Sequence, residues 1–447
     1  MLTNPWAGIA VLAAALLVML AGIRALQSRF GWHPELSRKA AHVGLGLATL
    51  SFPFLFDAVW PVALLGAVTV AVLAAMRWIP AVSRLSGSVV HGVERSSRGE
   101  LFFPIAAAAL FVVTDGDLIL FGVPVLTLAL ADSTAAIVGV YYGRFRYQTG
   151  EEPKSLEGSV AFFTVAFLTT HVPLLLRTET GRVESLLIGV MFGLLVMLLE
   201  AISRRGADNL WIPFGGYLLL RTFLDKDAAE LGAALVVTIV ILLLVLALRR
   251  QRTLTDSAML GAVLIGFVSW SLGGWRWVIP PLAVFLSYTV LWPRRRLVRQ
   301  RPHDLVALVS VNSGLIWLLA AYWLRRPDFI YLYTIAFAAN LCFFGITWYR
   351  IARPQLSALE AVGRSAAVAW LILFPAYALV ATPRDGAVTL GAAAFVWIVA
   401  GGVAFTLLVP FTRGGTAGPF PWLRQSLLGL AASALGLVLL AADGAGP

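Results

Sequence analysis

Cysteine occurs once, at Cys342, so the chain has no intramolecular disulfide and no thiolate metal cluster. Lysine is nearly as scarce: 3 of the 34 basic residues are Lys and the remainder Arg. Charged residues of any kind make up only 13% of the chain, against 60% hydrophobic residues. A soluble domain has no use for that much apolar surface. Repeated runs of about 20 apolar residues match a bilayer core about 30 Å thick. The runs are continuous rather than alternating with period two, which excludes a transmembrane β-barrel. The five histidines (His33, His42, His91, His171 and His303) are scattered, which argues against haem or zinc ligation. No G-x-x-x-x-G-K-[ST] phosphate loop is present.

What is there reads as an all-α, polytopic transmembrane bundle of about 14–16 segments in two lobes, 1–250 and 251–447. Apolar segments fall near 5–26, 40–56, 58–76, 101–114, 117–142, 157–176, 183–201, 209–224, 228–248, 256–272, 275–292, 303–324, 328–349, 365–382, 386–411 and 423–442. The short ones at 101–114 and 209–224 are candidates for partial or re-entrant helices. The first run has no basic residue before it and no small-residue cleavage pattern after it, so it is expected to be a retained helix. The net charge of +11 invites a nucleic-acid reading, but placement of the charges argues against it. With the N-terminus outside, 26 of the 34 Lys and Arg fall on one side, as the positive-inside rule requires of a cytoplasmic face. Arginine in place of lysine fits a GC-rich bacterium, hence an expected bacterial cytoplasmic membrane with the active site facing inward.

Polar residues in the first half collect on that same side. They comprise SRKAAH (37–42), ERSSRGELFFP (94–104), GRFRY with EEPKSLEGS (143–159), and EAISRRGADNLWIP (200–213). An acid in a membrane segment costs roughly 2.5–3.5 kcal/mol at the bilayer centre and marks a functional site by default, which singles out Asp132. Asp132, Ala136, Gly139 and Gly143 share one helical stripe, leaving either a groove beside the carboxylate or a face for close helix packing. Gly158 and Ser159 open the next helix, whose N–H groups make an anion site with Lys154 beside it. Glu157 cannot bind phosphate directly, so a divalent cation between it and the anion is expected. Mg²⁺ suits that arrangement, being held by one or two carboxylates plus phosphate oxygens. Lys39 and Lys154, two of the three lysines, would act as point charges on phosphate. Arg38 and His42 share a face at the entry of the second segment, where a juxtamembrane anchor is the competing reading. Glu200 with Arg204 reads equally as an i,i+4 pair, and Asp208-Asn209 as a helix cap.

Five motifs occur in order: R-K-x-x-H (38–42), R-G-E-x-x-x-P (98–104), A-D-x-x-A-x-x-x-G-x-x-x-G-R (131–144), K-S-x-E-G-S-x-A-F-F (154–163) and E, seven residues, D-N-x-x-x-P (200–213). Together they resemble the phytol kinase and dolichol kinase family, CTP-dependent lipid kinases related to phosphatidate cytidylyltransferases. The resemblance covers roughly residues 35–215 and implies transfer of phosphate from CTP to a long-chain alcohol. By position it implies catalytic roles for Arg38, Lys39, His42, Asp132, Lys154 and Glu157. It places nucleotide binding at Gly139, Gly143, Arg144, Ser155, Gly158, Ser159 and Asn209, and Mg²⁺ on Asp132, Glu157 and Asp208. The expected partners are a lipid alcohol, a nucleotide and the bilayer, with no nucleic acid. A CDP-lipid synthase is the alternative and a lipid or ion transporter the third reading. The second half resembles the phytyl-phosphate kinase family, but Asn340 stands where that family has an acid, so a non-catalytic second lobe is expected.

Overall fold

The computed structural model describes residues 4–79, 99–149, 152–251, 253–291, 303–380, 387–409 and 419–443. The 94–98 part of the second motif and the basic run 294–301 lie outside these residues. The chain forms two compact units, residues 1–236 and 237–447. Among the described residues, eleven helices are long and apolar enough to cross a membrane, or twelve if one bent pair counts as a single span. The protein is therefore an integral, multi-pass, all-α membrane protein. Every predicted segment is helical over most of its described residues; the helices Pro34–Leu50 and Asp208–Phe223, with 17 and 16 residues between described turns, are at or below the length of a full crossing.

In the first unit, α1 (Pro5–Phe30) starts at Asn4, whose side chain accepts from Trp6 N, with Pro5 at the first helical position. It ends at Gly31, whose φ of 60° is left-handed backbone that glycine adopts without cost. Next come α2 (Pro34–Leu50), a single turn α3 (Phe52–Leu55) and α4 (Val59–Trp78). They are followed by α5 (Gly99–Thr114) and α6 (Gly122–Tyr142). A two-stranded antiparallel hairpin, β1 (Arg146–Thr149) and β2 (Glu152–Ser155), pairs Tyr147 with Lys154 and leads directly into α7 (Leu156–Arg177). Helices α8 (Arg182–Ile202) and α9 (Asp208–Phe223) complete the unit, with the boundary at residue 236 falling inside α10 (Ala228–Ala247). The predicted partial segments are α5 and α9, and they pack against each other.

Helix α6 is the hub, touching α2, α7 and α9. Small residues and buried hydroxyls make those contacts, as expected where lipid tails remove the hydrophobic drive between helices. A Cβ on Gly46 of α2 would stand 2.3 Å from Ala129 Cβ, so only glycine admits that approach. Thr127 and Thr169, both buried, share a hydrogen bond of 2.8 Å between α6 and α7.

The second unit is built around α15 (Ile330–Ala352), buried over most of its length. Before it come α11 (Asp256–Gly273), α12 (Trp275–Leu291) and the bent pair α13 (Leu305–Val311) and α14 (Leu315–Leu324). After it come α16 (Ala358–Val380), α17 (Ala387–Leu408), α18 (Pro419–Ala434) and α19 (Leu437–Asp443). Asn340 is fully buried at its centre, with Oδ1 accepting from Gln425 Nε2 at 3.0 Å and Nδ2 donating to Ala336 O at 2.9 Å.

Candidate active site

The charged residues of the first unit converge from separate elements. Lys39 of α2 reaches Asp132 of α6, with Nζ 2.7 Å from Oδ2 and 3.5 Å from the Asp132 carbonyl oxygen. Both side chains are buried. His42, one turn along α2, brings Nε2 to 3.5 Å from the same carboxylate oxygen and sets its ring edge-on against Phe103 of α5. Lys154, at the end of the hairpin, donates at 2.5 Å to both Oε1 and the carbonyl oxygen of Glu200 on α8. Burial disfavours the Lys154 ammonium, but the Glu200 charge and the hydrogen bond to it outweigh that, holding its pKa above the ordinary lysine value. Asp208, the first residue of α9, joins the two pairs: it feels the charges of Asp132, Lys154 and Lys39. Arg38, half-exposed and paired with Glu35 at 2.6 Å, lies within electrostatic reach of Asp132 and Asp208.

Local structure explains these placements. Asn209 donates from Nδ2 to Gly99 O at 2.9 Å, tying the start of α9 to the start of α5 and fixing the neighbouring Asp208. The hairpin register puts Lys154 opposite Tyr147, whose hydroxyl is 2.6 Å from Ser159 Oγ. Ser159 also donates to Ser155 O at 3.1 Å, and so closes the first turn of α7.

Other predicted site residues are occupied differently. The groove expected beside Asp132 is filled by the start of α7. A Cβ on Gly143 would stand 2.8 Å from Ser155 Cβ and 2.3 Å from Gly139 O. One on Gly158 would stand 2.9 Å from Ala135 O, and one on Gly139 3.1 Å from Ser155 Oγ. The stripe is a helix-packing face. The amides expected to bind anion at the α7 N-terminus are also engaged: Leu156 N donates to Phe145 O at 2.8 Å and Gly158 N to Ser155 Oγ at 3.1 Å. Ser155 is the N-cap of α7. Glu157 accepts from Phe145 N at 3.2 and 3.3 Å and feels the charge of exposed Arg144, so these two serve the base of the hairpin. The structure thus replaces Glu157 with Glu200 as the carboxylate facing Lys154. Sequence spacing had offered Arg204 as the partner of Glu200; only the E-x-x-x-x-x-x-x-D-N pattern hinted at a shared site with Asp208.

Buried polar atoms are nearly always hydrogen-bonded. Ser37 Oγ, His42 Nε2 and Ser133 Oγ, each within one turn of Lys39 or Asp132, are buried without a hydrogen-bond partner. Each lysine ammonium has three protons, two of them directed at its carboxylate residue, which leaves a third donor on each. Among the described residues no three His, Cys, Asp or Glu side chains form a cage for a metal ion. The carboxylates of Asp132, paired with Lys39, and Asp208, within electrostatic reach of Asp132 and both lysines, do fit an ion held by one or two carboxylates with phosphate completing its shell.

No protein-family profile matches the chain, and neither does any solved structure. A curated protein of Synechocystis sp., phytol kinase, is 30% identical over 191 residues, which are 41% of this chain and 78% of that protein. Taken with the charged cluster at the heart of the first unit, that match places the chain in the phytol kinase family.

Proposed function

We propose that the protein is a CTP-dependent lipid kinase that phosphorylates a long-chain isoprenoid alcohol of the polyprenol or phytol type at the cytoplasmic interface. The observation carrying this reading is the convergence of Lys39, Asp132, Lys154, Glu200 and Asp208, drawn from five elements, into one largely buried charged cluster. The activity named for the Synechocystis relative supports the alcohol acceptor, and the five sequence motifs support CTP as donor.

Phosphoryl transfer is mostly positioning and electrostatic stabilisation, so two lysines and two carboxylates suffice without a covalent nucleophile. The third protons of Lys39 and Lys154 donate to oxygens of the γ-phosphate, and Arg38 covers the exposed edge. Asp132 and Asp208 would hold Mg²⁺, which when bound would neutralise charge on the nucleotide phosphates. The alcohol oxygen forms a bond to the γ-phosphorus as the bond to the β,γ-bridging oxygen breaks, and CDP leaves. The alcohol proton passes to His42, whose Nε2 is buried 3.5 Å from Asp132 Oδ2 without a hydrogen-bond partner. Asn209 holds Asp208 in place through Gly99. The second unit is read as non-catalytic: Asn340, which stands where an acid would be needed, is held by Gln425 and Ala336.

The test is an assay of purified protein with γ-labelled CTP, Mg²⁺ and an isoprenoid alcohol. Label in the lipid together with CDP release supports the reading. Pyrophosphate release identifies CDP-lipid synthesis instead, and full activity of Asp132→Ala refutes the assigned site.

A further inference from the structure

We propose that the hydrocarbon chain of the alcohol lies in the open groove between α4 and α5, an inference that rests on the kinase reading above. The groove has a volume of about 510 Å³, within the size range of ligand pockets. Its walls are Ala67, Val70 and Ala71 on α4 and Pro104, Ala109 and Val112 on α5.

Two observations connect it to the charged cluster. Phe103, the residue preceding Pro104, carries the ring against which His42 packs, at 5.4 Å between centroids. The start of α5 is also bonded to Asn209, next to Asp208, through Gly99 O. The head of the groove therefore adjoins the groups assigned to the hydroxyl and the phosphate. From Pro104 to Val112 it runs about 12 Å along the helix axis, away from those groups.

Its surface differs from the other lipid-facing helices. Helices α1 and α10 present Leu17, Val18, Val240 and Leu243 outward. Small residues in membrane helices usually serve close helix contact. Gly66 does so here, since a Cβ on it would stand 2.5 Å from Ala108 Cβ. Ala67 and Ala71 remain exposed instead, and keep the trough above that contact clear. A slender, methyl-branched chain fits a trough walled mainly by Ala, Val and Pro, with Ile105 the one longer side chain.

Ala67→Phe and Ala109→Phe block the groove from opposite walls, and exposed Ala67 can be enlarged without overpacking the core. Each is compared with wild type on a long isoprenoid alcohol and on its single-isoprene analogue. For the long alcohol, kcat/KM falls about tenfold or more through KM, while the short analogue changes less than about twofold, because only the long chain loses buried methylenes. Leu17→Phe, on the bilayer face of α1, changes neither. Equal effects on both alcohols, or none, mean that bilayer lipid alone occupies the groove and overturn the inference while the kinase reading stands. If wild-type protein phosphorylates neither alcohol, the reading and the groove fall together.

Discussion

The Lys39–Asp132 pair allows a structural role to be separated from a chemical one. Its side chains are 5% and 11% exposed, and Nζ stands 2.7 Å from Oδ2. Removing one member of a buried pair strands the other charge, at a cost of about 3–5 kcal/mol, whereas replacing both by apolar residues of similar size is often neutral. Asp132→Leu and Lys39→Met are each expected to lower stability by about 3 kcal/mol or more, read from denaturant unfolding in detergent by tryptophan fluorescence. The double variant should return to within about 1 kcal/mol of wild type, because no charge is left stranded. Kinase activity should be lost in all three, because the proposed mechanism uses Asp132 for the nucleotide as well as for Lys39. Unchanged stability in both single variants would mean the pair is not formed. Recovery of activity in the double variant would mean the pair serves only the fold.

Three further outcomes follow from the same geometry. Lys154 has a raised pKa in the folded protein, so its pairing with Glu200 contributes fully below the ordinary lysine range and fades as pH rises through the raised value. Glu200→Gln should therefore shift the alkaline limb of the stability profile to lower pH and leave the neutral region flat, as measured by melting temperature against pH. Gly143→Ala drives a Cβ into Gly139 O and Ser155, and should cost about 1–3 kcal/mol of stability, visible as a reduced unfolding midpoint. Asn209→Ala loses the bond to Gly99 O, worth about 0.5–1.5 kcal/mol, and should lower kcat by loosening Asp208. A drop in stability with unchanged kcat would assign Asn209 to the fold alone.

Much of the candidate site was legible because ionisable groups in an apolar chain are expensive and therefore conspicuous. Asp132, Lys39, Lys154 and Asp208 stand out on that ground alone, and the structure brings all four together. The pairing was not legible: Lys39 and Asp132 are 93 residues apart and Lys154 and Glu200 are 46 apart, while local spacing favoured Arg204 for Glu200. The stripe of Asp132, Ala136, Gly139 and Gly143 suits a ligand groove and a helix contact equally well in sequence. Its use was decided by where α7 starts, with Ser155 against Gly139 and Gly143. Glu157 misled for a related reason, since a carboxylate in a first helical turn can serve a metal or nearby amides, and here Phe145 N takes it. Helix boundaries were less legible: the second segment, expected over 40–56, is helical from Pro34 to Leu50, because the polar first turns of α2 carry no apolar signal.

The account turns on the cluster around Asp208 being the seat of the nucleotide phosphates, and equilibrium binding of CTP to purified protein, with and without Mg²⁺, addresses this most directly. Wild-type protein should bind only with the metal present, and Asp208→Asn should weaken that binding at least about tenfold, or roughly 1.4 kcal/mol. Tight, metal-independent binding that survives Asp208→Asn would contradict the account.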